Sequence, residues 1–148
     1  MNLTSGRKTD AGLWAPTPLD VIEIDSVLWE DGSSEGTPAM ASALIAPDAG
    51  RRLQLTRVVA ILRRALADAD GAGGSLARIT TEIEALPDWD ADQLPAAQAS
   101  MRSAKQAALA DVTRFERDRT SAHDQAGITR WLKYTADRYD GWIKRLAQ

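Results

Sequence analysis

One short segment contains the two side chains that metal-free cleavage of a phosphodiester needs. Arg117 is followed six residues later by His123, the only histidine of the chain. A guanidinium stabilises the charge that develops on a phosphorane, and an imidazole transfers protons near neutral pH. The alternative interpretation is a solvated histidine near the junction of two helices.

The segment Arg117-Asp118-Arg119-Thr120-Ser121-Ala122-His123 resembles the active-site motif of the HEPN ribonucleases, which are all-helical proteins. In that family an arginine and a histidine from two subunits meet at a dimer interface and cleave RNA without a metal ion. The resemblance covers these seven residues. It implies that Arg117 and His123 form the catalytic pair.

A second candidate site is a run of alternating carboxylates that is similar to the opening of a calcium loop: Asp88, Asp90 and Asp92. The rest of the pattern differs, because Gln93 stands where glycine is needed and Ala99 where a bidentate glutamate belongs. We therefore favour a solvated acidic loop with Trp89 packed inward. No cofactor is predicted.

The strongest helical stripe of the chain lies near its C-terminus and is rich in aromatic residues: Ile128, Trp131, Leu132, Tyr139, Trp142, Ile143 and Leu146. It allows three interpretations, namely core packing in a bundle, a contact surface for a partner or second copy, and a ligand pocket. Trp and Tyr are favoured in protein interfaces. Four residues are accordingly predicted to contact a partner: Trp29, Trp131, Tyr134 and Trp142.

The elements that position these residues follow from one change of hydrophobic period near residue 37. Before it, residues 21–29 roughly alternate, and residues 19–36 are predicted to form a strand or small β-hairpin. After it, Thr37-Pro38 predicts a helix start, Pro47 a kink or break, and Asp48 a new cap. Further helices are expected at about 48–69, at 76–86, at 95–122 and at the C-terminus.

The fold class predicted from this pattern is mainly α, a four- to five-helix antiparallel bundle preceded by an N-terminal strand or small hairpin. Residues 1–18 contain Gly6, Gly12, Pro16 and Pro18, which predict a flexible arm without regular structure. Residues 19–148 are predicted to form a single helical domain that includes the strand element.

Composition excludes several functions. The chain of 148 residues has no cysteine, so disulfides, thiolate nucleophiles and zinc–thiolate sites are excluded. The longest apolar run, residues 58–62, is too short for a membrane span. The pI of about 5.1 and the lack of a broad basic face disfavour nucleic-acid binding. Residues 1–95 hold 8 Lys+Arg and 15 Asp+Glu, whereas residues 96–148 hold 10 and 6, a pattern of either solvated faces or head-to-tail attraction.

Two segments, IDSVLWEDGSSEG and DAGRRLQLTRVVAILRRAL, resemble a group of uncharacterised bacterial proteins. In that group a strand that ends in an FEDG or WEDG turn precedes helices, often after an immunoglobulin-like β-sandwich. The resemblance covers roughly residues 10–66 and implies no activity and no catalytic residues. It implies that the strand is the last of such a sandwich in a longer, exported protein; the chain as given reads as soluble and cytoplasmic.

The sequence thus favours a non-enzymatic structural or protein-interaction module that self-associates. Its expected partner is a protein or a second copy of the chain, with no membrane and no nucleic acid. The alternative is a metal-independent ribonuclease that uses Arg117 and His123.

Overall fold

The computed structural model describes residues 6–8, 14–16, 24, 26–29, 33–68, 76–118 and 124–147. Within these residues, four three-residue strands precede four helices, α1 (Pro38–Ala67), α2 (Leu76–Glu84), α3 (Pro95–Arg117) and α4 (Gln125–Arg145). The predicted fold class, a mainly helical bundle behind a small N-terminal β element, is confirmed. No helix among these described residues is long and apolar enough to cross a bilayer.

The strands form two separate antiparallel pairs. β1 (Gly6–Lys8) pairs with β2 (Trp14–Pro16), although the sequence predicted no regular structure in residues 1–18. β3 (Ser26–Leu28) pairs with β4 (Ser34–Gly36), so that Val27 lies opposite Glu35. Gly36 ends the hairpin with φ 121°, a conformation that glycine adopts far more readily than other residues. The strand element predicted for residues 19–36 is thus a small hairpin, held together by the backbone pairing of β3 and β4.

Helix α1 begins where the sequence predicted, with Thr37 as N-cap and Pro38 as the first helical residue. The Thr37 side chain makes no capping hydrogen bond, so the start depends on the proline. Of the two alternatives predicted at Pro47, a kink or a break, the break is wrong, because α1 continues through this residue and Asp48 therefore caps no new helix. A proline inside a helix costs about 3 kcal/mol, and the packing of the helix beyond residue 46 offsets that cost.

The core lies where the apolar stripes of the helices meet. On α1 the stripe is buried from Leu55 to Ala65, and on α2 Ile79 and Ile83 are buried. The predicted α3 stripe is buried in full: Met101, Ala104, Ala108, Val112 and Phe115. The alanines of α3 let it approach α1 closely. On α4, Leu132, Ala136 and Tyr139 complete the core.

Side-chain pairs fix the directions of the helices. Arg78 of α2 donates to Asp68 at the end of α1 over 2.8 Å, and Arg64 lies against Glu82 further along α2, so α1 and α2 are antiparallel. Phe115 stacks on Trp131, while Asp111 pairs with Arg138 one to two turns along each helix. Helices α3 and α4 are therefore antiparallel too. Helix α3 ends at Arg117, five residues before the predicted end.

Candidate interaction surfaces

Three aromatic side chains of α4 surround one cation. The guanidinium carbon of Arg138 lies 5.8 Å from the ring centroid of Tyr134, 5.1 Å from that of Tyr139 and 5.3 Å from that of Trp142. These distances are within the range of cation–π attraction. Two of the predicted partner-binding residues, Tyr134 and Trp142, are thus brought together by an arginine that the sequence had not singled out.

Asp111 of α3 anchors this cluster. Its carboxylate accepts a hydrogen bond from Arg138 and another, 2.6 Å long, from the Tyr139 hydroxyl. The Tyr139 side chain is only 1% exposed, so its hydroxyl has no access to bulk water. Charge-assisted bonds of this kind are about twice as strong as neutral ones. Asp111 therefore fixes α4 against α3 and orients all three rings through Arg138.

The environment of Tyr139 makes its neutral form the stable one. Burial raises the pKa of the hydroxyl well above its ordinary value of 10.0, and the hydrogen bond to the Asp111 carboxylate raises the pKa further. A raised folded-state pKa means that this contribution to stability is complete below pH 10.0 and is lost as the pH rises above it.

We expect the parent protein to lose more stability between about pH 8 and about pH 11 than a Tyr139→Phe variant does. Urea titrations followed by tryptophan fluorescence at both pH values give the two differences. The phenylalanine variant has no hydroxyl to titrate and carries every other titrating group, so it is the matched control. Equal losses in the two proteins would contradict the assignment.

Trp131 has a structural place in the helix packing. Its ring stacks on that of Phe115, with centroids 4.9 Å apart and an interplanar angle of 18°. It is half-buried against the core, whereas Tyr134 is 65% exposed. Trp131 therefore stabilises the α3–α4 contact, and its predicted role at a partner surface stays a prediction.

Trp29 belongs to a different surface, at the N-terminal end of α1. Six exposed apolar side chains lie on the β3–β4 hairpin, on the first two turns of α1 and at the start of α3: Leu28, Trp29, Met40, Leu44, Ile45 and Leu94. Both strands contact α1, and Ile45 and Leu94 line one shallow groove. We call this surface the apolar end. We call Tyr134, Arg138, Tyr139 and Trp142 the α4 cluster. The two surfaces differ, because the side chains of the α4 cluster contact one another and Asp111, whereas the apolar end is uncovered in the described structure.

No family model, curated protein or solved structure matches this chain. The geometry and chemistry of its own surfaces are therefore what bears on function.

The predicted catalytic pair is placed only in part. Arg117 is exposed at the C-terminal end of α3 and lines a shallow groove with Arg114 and Asp118. His123 lies outside the described residues. The ribonuclease alternative, which needs Arg117 and His123 close together, therefore stays a prediction.

In the acidic loop between α2 and α3, the carboxylate of Asp90 is engaged by groups of this chain. Asp90 accepts a hydrogen bond from the backbone nitrogen of Asp92 and lies 4.0 Å from a guanidinium nitrogen of Arg57. Across the described part of the chain no group of three acidic, histidine or cysteine side chains could hold a metal ion, and that part includes Asp88, Asp90 and Asp92. The expectation that Trp89 packs inward is wrong, since its side chain is 63% exposed.

Proposed function

We propose that this chain is a non-enzymatic protein-interaction module that forms a dimer through its apolar end. One observation carries the proposal. Ten large hydrophobic side chains are exposed among the described residues, and six of them are the side chains of the apolar end. Exposed apolar side chains that concentrate in this way are typical of interaction surfaces.

The apolar end exists because α1 is longer than the bundle that covers it. Helix α3 starts at Pro95, and Ala97 lies directly against Gly50 of α1. The first eight residues of α1 therefore project beyond α3, and burial along the helix begins only at Ala46. Two helical turns without a packed face are marginal in water. A partner that covers Met40, Leu44 and Ile45 would supply the missing packing.

The composition of the projecting helix favours a second copy as that partner. Residues 38–47 contain no charged side chain, so two copies can approach without repulsion between like charges. Small residues, among them Ala39 and Ala43, lie between the large ones and allow two helices to come close. Antiparallel packing of the same helix from two protomers is an isologous contact, which closes on a dimer.

Sedimentation velocity and light scattering test the proposal. The parent is expected to have twice the chain mass of 16.0 kDa at micromolar concentration. Leu44→Glu places an unpaired carboxylate in the apolar contact from each protomer, and burying such charges costs several kcal/mol per ion. We expect this variant to be monomeric and its dissociation constant to rise about 100-fold or more. Its circular dichroism is expected to keep the helix signal of the bundle and to lose at most the contribution of the first two turns of α1.

Tyr134→Glu is the matched control, because Tyr134 is also a large exposed side chain but lies outside the apolar end. It is expected to remain dimeric. A parent that stays monomeric up to millimolar concentration contradicts the proposal. A dimer that Tyr134→Glu dissociates and Leu44→Glu does not would place the contact on α4 instead.

A further inference from the structure

A cavity of about 430 Å³ opens between α1, α3 and α4, and none of the apolar-end residues lines it. Its charged lining residues are two arginines, Arg51 and Arg145, and no carboxylate lines it. The hydroxyl-bearing Ser103 lies on the α3 side. Most of the remaining lining is apolar and includes Leu55, Ala107 and the indole of Trp142, beside the phenol of Tyr139. Its volume is within the range of small-molecule sites.

Both arginines can accept an anionic ligand. Arg145 makes no ion pair with any described residue, and its guanidinium folds back over Gly141, where a Cβ would lie 3.7 Å from Nη1. Arg51 lies 4.0 Å from Asp48, at the limit of an ion pair, and both of those side chains are about half exposed. Such an exposed pair is worth about 0–1 kcal/mol, so a ligand carboxylate can compete with it.

The aromatic wall of the cavity is held in position before any ligand arrives. The centroid of the Trp142 ring lies 5.3 Å from the guanidinium carbon of Arg138 and 5.4 Å from the centroid of the Tyr139 ring. Arg138 and Tyr139 are in turn both bound to Asp111. A wall that is already ordered reduces the entropy that a ligand must lose on binding.

We infer that this cavity binds a small aromatic carboxylate. The flat apolar body would lie against Trp142 and Leu55, and the carboxylate would accept hydrogen bonds from Arg145 and Arg51. Guanidinium–carboxylate bonds give orientation as well as affinity. This site is independent of the proposed dimer, because none of its lining residues belongs to the apolar end.

The test uses 2-naphthoate as probe and the five tryptophan indole N–H signals of the ¹⁵N-labelled protein as reporters. The Trp142 signal is identified with a Trp142→Phe variant. We expect it to shift in a saturable way while the Trp29 and Trp89 signals stay in place. The uncharged 2-naphthalenemethanol, which keeps the ring system, is expected to bind about tenfold more weakly.

Arg145→Gln is expected to weaken binding of 2-naphthoate about tenfold. Arg130→Gln removes the same charge from an exposed position of α4 outside the cavity, and is expected to bind like the parent. Three outcomes overturn the inference: no saturable shift of Trp142 up to millimolar probe, equal binding of the acid and the alcohol, or equal effects of the two arginine variants.

Discussion

Asp111→Ala is expected to lower the free energy of unfolding by about 3 kcal/mol, although the residue is neither apolar nor fully buried. The substitution removes the acceptor of the hydrogen bond that the Tyr139 hydroxyl donates, and Tyr139 is only 1% exposed, so the loss costs about 1–3 kcal/mol. It also removes the carboxylate that pairs with Arg138, whose Nε has no hydrogen-bond partner among the described residues. Urea denaturation followed by tryptophan fluorescence measures the change.

Asp137→Ala is the control, because it removes an exposed carboxylate from α4, one of the two helices that Asp111 joins. It is expected to change the free energy of unfolding by less than about 0.5 kcal/mol. A double variant, Asp111→Ala with Tyr139→Phe, removes both partners of one hydrogen bond. Its loss is expected to be smaller than the sum of the two single losses. Additive losses, or an Asp111→Ala variant as stable as the parent, would show that the carboxylate does not anchor α4.

The helical framework could be predicted because each helix carries its own pattern. Apolar residues recur on each helix at the spacing of one helix face, and these residues are buried: Val58 and Leu62 on α1, Ile79 and Ile83 on α2, and Ala104, Ala108 and Val112 on α3. Such a pattern is local, so it can be interpreted without knowing which helix lies opposite. The helix start at Pro38 is equally local, because it depends on the geometry of one proline.

The α4 cluster could not be predicted from the sequence because it depends on a contact between distant residues. Asp111 and Tyr139 are separated by 28 positions, and nothing local pairs them. One signal was available, since Asp111 lies three residues after Ala108 and four before Phe115, on the flank of the α3 stripe. A carboxylate at such a position needs a partner across the helix contact.

The first turns of α1 show that an apolar pattern does not guarantee burial within the same chain. The residues from Met40 to Ile45 have a composition that suits a buried helix, and the expected break at Pro47 separated them from the rest of α1. The structure continues the helix and leaves those side chains uncovered. A stripe indicates which side chains favour burial, and it does not indicate whether this chain or another one covers them.

The contact between α1 and α3 depends on one hydrogen atom at Gly50. A Cβ built at this position would lie 2.1 Å from the backbone oxygen of Ala97 and 2.7 Å from its carbonyl carbon. These are main-chain atoms inside α3, so no side-chain rotation can relieve the overlap, and the two helices would have to move apart. Gly141 of α4 differs, because a Cβ at this position would lie 3.7 Å from the tip of the Arg145 side chain, an ordinary van der Waals contact.

Gly50→Ala is therefore expected to destabilise the protein by about 3 kcal/mol, whereas Gly141→Ala is expected to stabilise it by up to about 1 kcal/mol. Both changes gain the same helix propensity, because alanine loses less backbone freedom than glycine on folding. The difference between the two variants in urea denaturation thus measures the close approach of α1 and α3 alone. A Gly50→Ala variant as stable as Gly141→Ala would mean that α1 and α3 are further apart at Gly50 than the structure shows. Because Gly50 lies where α3 begins to cover α1, the uncovered part of α1 would then extend beyond Ile45.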